Sequence, residues 1–148
     1  MVVNQLATKV AASAERVWKL FSTHDGQRIA GKGYVASMEF EGNGLGMVRT
    51  MRTEGHLGVA YVKERCDHYD EANMEMMYQI IDTGGLVPFA DYRGFAKVIR
   101  AGPEACIVML RSTFIPVDMS EAEAKKISER NFELFFQNVK AAVAAGEV

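Results

Sequence analysis

Residues 120–145, SEAEAKKISERNFELFFQNVKAAVAA, decide how the rest of the chain must fold. Ser120 and Glu123 stand three apart as a capping-box pair, the hydroxyl accepting a backbone N–H and the carboxylate reaching back to the cap. Behind them Ile127, Phe132, Phe135, Phe136, Val139 and Val143 mark a broad apolar face, while Lys125, Lys126, Glu129 and Lys140 mark a polar one. The pattern predicts a helix of about 26 residues, about 39 Å long. A helix of that length with that face must be laid across something equally large.

Upstream, only a sheet is large enough. Val2–Ala12 alternates loosely, as an initial strand does. Ser13 reads as a helix N-cap before Ala14, Val17, Trp18, Leu20 and Phe21, which recur at helical spacing to about Thr23. His24–Ala30 reads as a second short helix, closed by Gly31-Lys32-Gly33. The pattern then turns to strands at Tyr34–Phe40, Met47–Thr53, Val59–Tyr69, Met74–Ile81, Asp91–Arg100 and Ala105–Val117, with turn residues between them. The expected fold is α+β: a curved seven-stranded antiparallel sheet wrapped around the long C-terminal helix, with two short helices after the first strand. It forms one domain over residues 1–148, and the curved sheet and helix leave a hollow between them that is either an open cavity or a packed core with methionine as filler.

Composition excludes several function classes. The 148 residues are 49% hydrophobic and 24% charged, with a net charge of −2, ordinary for a globular chain. A nucleic-acid-coating surface is normally strongly basic, so no nucleic-acid partner is expected. No apolar run reaches the length of a membrane span, and the start MVVNQLATKV has neither the basic nor the apolar region of a signal peptide. Cys66 and Cys106 are too few for a disulfide framework, so a cytoplasmic location with free thiols is expected. Glycines 42, 44 and 46 precede a strand rather than a helix, so they read as a hairpin turn and not a phosphate cradle.

Several strings, in order, carry a resemblance. Glu41-Gly42-Asn43-Gly44-Leu45-Gly46-Met47-Val48-Arg49, then Val62-Lys63-Glu64-Arg65 followed by Asp70, then Met76-Met77-Tyr78 and the closing helix resemble the helix-grip superfamily. That group includes START-like lipid carriers, the birch-pollen-allergen family, plant hormone receptors and bacterial aromatic polyketide cyclases (SRPBCC). The resemblance spans almost the whole chain and implies a cavity protein, but it does not choose between carriers and enzymes. It also implies that Glu64 points inward. The cavity lysine of the plant Pictet–Spengler enzymes sits on the strand matching Asn73–Ile81, which contains no lysine here, and this argues against that activity.

Strand alternation predicts the lining. Outward Arg111 and Thr113 place Cys106, Val108, Leu110, Ser112 and Phe114 inward; outward Arg93 and Lys97 place Tyr92, Gly94, Ala96 and Val98 inward. Met74, Met76, Tyr78 and Ile80 share a third inner face. The candidate ligand contacts are Met74, Met76, Tyr92, Val108, Leu110, Ser112 and Phe114, with Asn131, Phe135 and Asn138 from the closing helix. A buried Glu64 would be a proton-transfer group, with Tyr61, Tyr78 and His68 polarising ligand oxygens. Alternatively, Glu64 is an acid paired with Arg49 or Arg65. Cys66-x-His68 offers two ligands only, with His24 and His56 in separate loops, so no metal is implied, and no other cofactor either.

Two functions remain open. The first is a cofactor-independent cyclase, dehydratase or lyase acting on a small hydrophobic or aromatic ketone. The second is non-catalytic binding, storage or transport of a hydrophobic ligand or lipid. They differ in whether Glu64 is underpaired and aimed at the ligand, or neutralised by an arginine. The segment Asp82–Asp91, with Leu86, Val87 and Phe89, is either a lid over the cavity or a homodimer contact.

Overall fold

The computed structural model describes residues 1–33, 35–52, 61–84 and 88–148. Its elements run β1 (Val2–Val10), α1 (Ala14–Ser22), α2 (His24–Ala30), β2 (Ser37–Glu41), β3 (Val48–Arg52), β4 (Tyr61–Asp70), β5 (Glu75–Asp82), β6 (Phe89–Arg100), β7 (Cys106–Pro116) and α3 (Glu121–Ala144). The seven strands form one sheet in the order β1-β7-β6-β5-β4-β3-β2. Every pairing is antiparallel, from Val2↔Phe114 at one edge to Ser37↔Arg52 at the other. The first and last strands lie side by side, and α1 and α2 carry the chain from one sheet edge to the other. This is the expected helix-grip fold.

Caps and turns follow the local chemistry. Ser13 Oγ accepts from the Arg16 N–H, and Thr23 Oγ1 accepts from the Gly26 N–H, so each short helix starts on a hydroxyl. Ser120 and Glu123 form both halves of the capping box. Gly42, Gly44 and Gly46 all have positive φ, as the β2–β3 hairpin turn requires. That turn is held to α2, where His24 stacks flat on Phe40 at 4.2 Å with its Nε2 3.0 Å from the Gly42 carbonyl.

The buried line of α3 is Ala124, Ser128, Phe132, Phe136, Val139 and Ala142. It is rotated from the expected face, since Ile127, Phe135 and Val143 are only partly buried. Small residues on the line let the helix approach the sheet closely. Ser128 is admitted there because its hydroxyl joins Asn4 Nδ2 and Ser112 Oγ, each at 2.9 Å.

Strand β6 starts at Phe89, two residues before the expected Asp91. Phe89 pairs with Pro116, and an irregularity between Ala90 and Arg93 absorbs the offset, with Asp91 at φ 50°. Phe89 is buried against Phe114 at 4.4 Å, so it is wall rather than loop. Residues 34, 53–60 and 85–87 lie outside the described residues. With them lie the predicted strand starts at Tyr34 and Val59, the turn at Gly55–Gly58, His56, and the centre of the predicted lid or dimer segment.

Candidate functional site

Between the sheet and the helices lies a cavity of about 190 Å³. Its wall is largely apolar. Val62, Met76, Ile80, Ala96 and Leu110 come from the strands, Leu20 and Phe21 from α1, and Phe132 and Phe135 from α3. Such a lining accepts an apolar body, leaving orientation to a few polar groups. Gly94 opens the space. It pairs with Tyr78 on one side and Ser112 on the other, and a Cβ there would stand 3.4 Å from Tyr92 Cε1.

One polar cluster is built into the wall from Gln27 on α2, Arg49 on β3, Glu64 on β4 and Tyr78 on β5. Arg49 and Glu64 are direct cross-strand partners. The guanidinium donates to Glu64 Oε2 from Nη2 at 2.7 Å and from Nε at 3.2 Å, and from Nη1 to Gln27 Oε1 at 2.9 Å. Its centre lies 3.8 Å over the Tyr78 ring. Gln27 Nε2 donates to the Phe21 carbonyl at 2.7 Å and to the Tyr78 hydroxyl at 3.1 Å. Glu64 is 6% exposed and Gln27 4%. Both are therefore affordable only inside this network. Burial pushes the Tyr78 phenol above its ordinary value, outweighing the opposing pull of the Arg49 charge.

The structure brings Glu64, Tyr78, Met76, Tyr92, Leu110, Asn131 and Phe135 to the cavity. It places the other predicted site residues elsewhere. Tyr61 has the opposite parity to Val62 and Glu64; its hydroxyl donates to Asp82 Oδ2 at the surface, 3.3 Å away. His68 is turned outward by a register shift between Cys66 and His68, which leaves Asp67 with no residue opposite it on β5. It lies 3.5 Å from Glu75 on the outer side. The same shift turns Tyr69 inward, against Trp18 at 5.8 Å.

Met74 is buried in the core beside Trp18 rather than on the cavity wall. Val108 and Ser112 point inward as predicted but are fully covered, Ser112 by the Ser128 hydroxyl. Phe114 is covered by the rings of Phe89 and Tyr92. Asn138 donates to the carbonyls of Ala30 and Lys32 at 2.8 and 2.7 Å, tying α3 to the end of α2. Arg65, one of the two arginines considered for Glu64, is instead paired with Asp67 at 2.5 Å.

Gln27, Arg49, Phe89 and the α1 pair Leu20 and Phe21 were not foreseen as wall residues. Gln27 had one available signal: it shares the inward face of α2 with Gly26 and Ala30, where a polar residue is out of place. Among the described residues no group of three or more His, Cys, Asp or Glu is placed to hold a metal, and no helix is long and apolar enough to cross a membrane.

A family model described as polyketide cyclase/dehydrase and lipid transport matches residues 1–144. No curated protein sequence matches significantly. Among solved structures, the protein XoxI from Bacillus cereus is similar over 100% of this chain and 99% of its own, at 20% identity and a TM-score of 0.83. An uncharacterized protein from Bacillus thuringiensis is similar over 95% of this chain and 98% of its own, at 20% identity and a TM-score of 0.81. Norcoclaurine synthase from Thalictrum flavum, solved in complex with dopamine and hydroxybenzaldehyde, is similar over 97% of this chain and 87% of its own, at 20% identity and a TM-score of 0.73. At that identity the likeness establishes the fold and nothing finer.

Proposed function

The chain belongs to the polyketide cyclase/dehydrase and lipid transport family, and from that premise we propose that it binds one small, largely apolar metabolite in the helix-grip cavity without converting it. The observation that carries this reading is the engagement of Glu64. Its Oε2 receives two hydrogen bonds from the Arg49 guanidinium, whose charge neutralises the carboxylate. A neutralised carboxylate orients its neighbours; it does not act as an underpaired base. Two further candidates for chemistry, Tyr61 and His68, are absent from the wall. That a protein of the same fold was solved with dopamine and hydroxybenzaldehyde supports a small-molecule occupant.

Acid–base catalysis on a ketone is the second reading, and one observation favours it. Glu64 and Tyr78 both line the cavity from neighbouring strands, so a ligand oxygen could sit near both. Native mass spectrometry of the purified protein, followed by organic extraction, names the occupant. Incubating that compound with wild type and Glu64→Gln then separates the readings. Binding by both proteins with the compound recovered intact is the expected result. Conversion by wild type but not by Glu64→Gln would establish the catalyst. A protein that carries nothing and ignores a panel of hydrophobic probes would end both.

A further inference from the structure

We infer that Gln27 fixes Tyr78 as an obligate hydrogen-bond donor into the cavity, so that the occupant is a carbonyl compound of about single-ring size. This rests on the binding reading above and names its ligand class.

The direction of each hydrogen bond around Gln27 is settled by its neighbours' chemistry. The Phe21 carbonyl can only accept, so the amide atom 2.7 Å from it must be the nitrogen. The Arg49 guanidinium can only donate, so the amide atom 2.9 Å from Nη1 must be the oxygen. The amide therefore cannot be flipped. Its second N–H reaches the Tyr78 hydroxyl at 3.1 Å, which must accept it. The phenol proton then has to point away from Gln27. Among the described residues no group accepts that proton, although the ring is buried and on the cavity wall. A buried donor without an acceptor is costly, and a ligand oxygen removes the cost. Because burial holds the phenol neutral, the donor persists across the physiological pH range.

Size follows from volume. A dry apolar cavity of about 150 Å³ admits benzene. The 190 Å³ here admits one ring, or an aliphatic chain of similar bulk, with a short carbonyl-bearing substituent. A fused three-ring compound exceeds that volume.

The test compares acetophenone with α-methylstyrene, its near-isostere without the oxygen, and with the three-ring 2-acetylanthracene. Affinities are measured for wild type, Tyr78→Phe and Gln27→Glu, and the carbonyl stretch of bound ¹³C-labelled acetophenone is recorded by infrared difference spectroscopy. Wild type should prefer acetophenone over α-methylstyrene roughly five- to tenfold, the effect of one net hydrogen bond, and should exclude 2-acetylanthracene. Tyr78→Phe should abolish the preference and shift the carbonyl band upward. Gln27→Glu should do the same although the hydroxyl remains, because the new carboxylate accepts the hydrogen bond from the phenol O–H. A purely structural Gln27 would leave the band where it was.

Equal wild-type affinity for the ketone and the hydrocarbon, or a band unmoved by Tyr78→Phe, overturns the donor assignment while leaving the binding function standing. Tight binding of 2-acetylanthracene overturns the size assignment alone. No binding of any of the three overturns this inference, while the binding function stands or falls with the native mass spectrometry described above. If Gln27→Glu does not fold, the Tyr78→Phe comparison still decides whether the donor exists.

Discussion

Arg49 and Glu64 face each other across β3 and β4, joined at 2.7 and 3.2 Å through a single carboxylate oxygen. The pair is unequal: 20% of the arginine side chain is exposed and 8% of the glutamate. A guanidinium losing its partner can turn part of itself to water. A carboxylate losing its partner stays inside. Arg49→Met should therefore cost about 3 kcal/mol, since it strands a buried charge and also removes the donor to Gln27. Glu64→Gln, which keeps an acceptor, should cost about 1 kcal/mol. Adding Glu64→Leu to Arg49→Met should recover stability rather than lose more. Urea denaturation of the four proteins checks the order, and a double variant less stable than Arg49→Met would show that the pair is not coupled as described.

Gly94 is a glycine inside a strand, where it ordinarily weakens the element. Its place between Tyr78 and Ser112 makes the missing side chain into cavity space. Gly94→Val should leave the fold intact, with a melting temperature equal to or above wild type, because the strand gains a β-branched residue. The added methyls enter the cavity, and binding should fall at least tenfold. Thermal melting and a fluorescent-probe titration measure the two effects separately. Loss of stability together with undiminished binding would mean that the ligand sits elsewhere.

How far the sequence could be read depended on whether a residue's position followed from local periodicity. Strand β7 was legible because Arg111 on its outer face sets the parity for Cys106 through Phe114, and all five predicted inner residues are buried. The same reasoning failed on β4. One unpaired residue near Asp67 reverses the alternation, and nothing in Cys66-Asp67-His68 announces it. Asn131 and Asn138 share a helical stripe yet stand about 10 Å apart along the axis, so one meets the cavity and the other the carbonyls ending α2. Gln27 was unreadable because its partners Phe21, Arg49 and Tyr78 come from three elements, and only the closed fold brings them together.

The two thiols provide a probe of native-state opening. Cys66 is 1% exposed with its Sγ 3.2 Å from the His68 carbonyl, and Cys106 is fully buried. Burial pushes both thiols above their ordinary value, which lowers the thiolate fraction as well as the access. Ellman's reagent should label neither cysteine in the native protein at pH 8 on a timescale of minutes, and both once urea is added. Rapid native labelling of Cys66 would mean that β4 opens near its bulge without global unfolding.

The pH dependence of ligand binding is set at the alkaline end. Burial is the main cause of the raised Tyr78 phenol, and burial together with the Glu71 carboxylate raises Tyr69. A phenol whose proton is held more tightly in the folded state contributes its stabilisation fully below the unfolded value of about 10, and loses it as pH climbs toward the folded value. The raised thiols act in the same direction from about pH 8.5 upward. Stability should therefore begin to fall above about pH 8.5 and fall more steeply above about pH 10. Affinity for a carbonyl ligand, which needs only the neutral phenol, should stay level between about pH 6 and 9. Probe displacement by acetophenone across that range measures it. An affinity that falls around pH 7 would show that the ligand's oxygen is held by a group other than Tyr78.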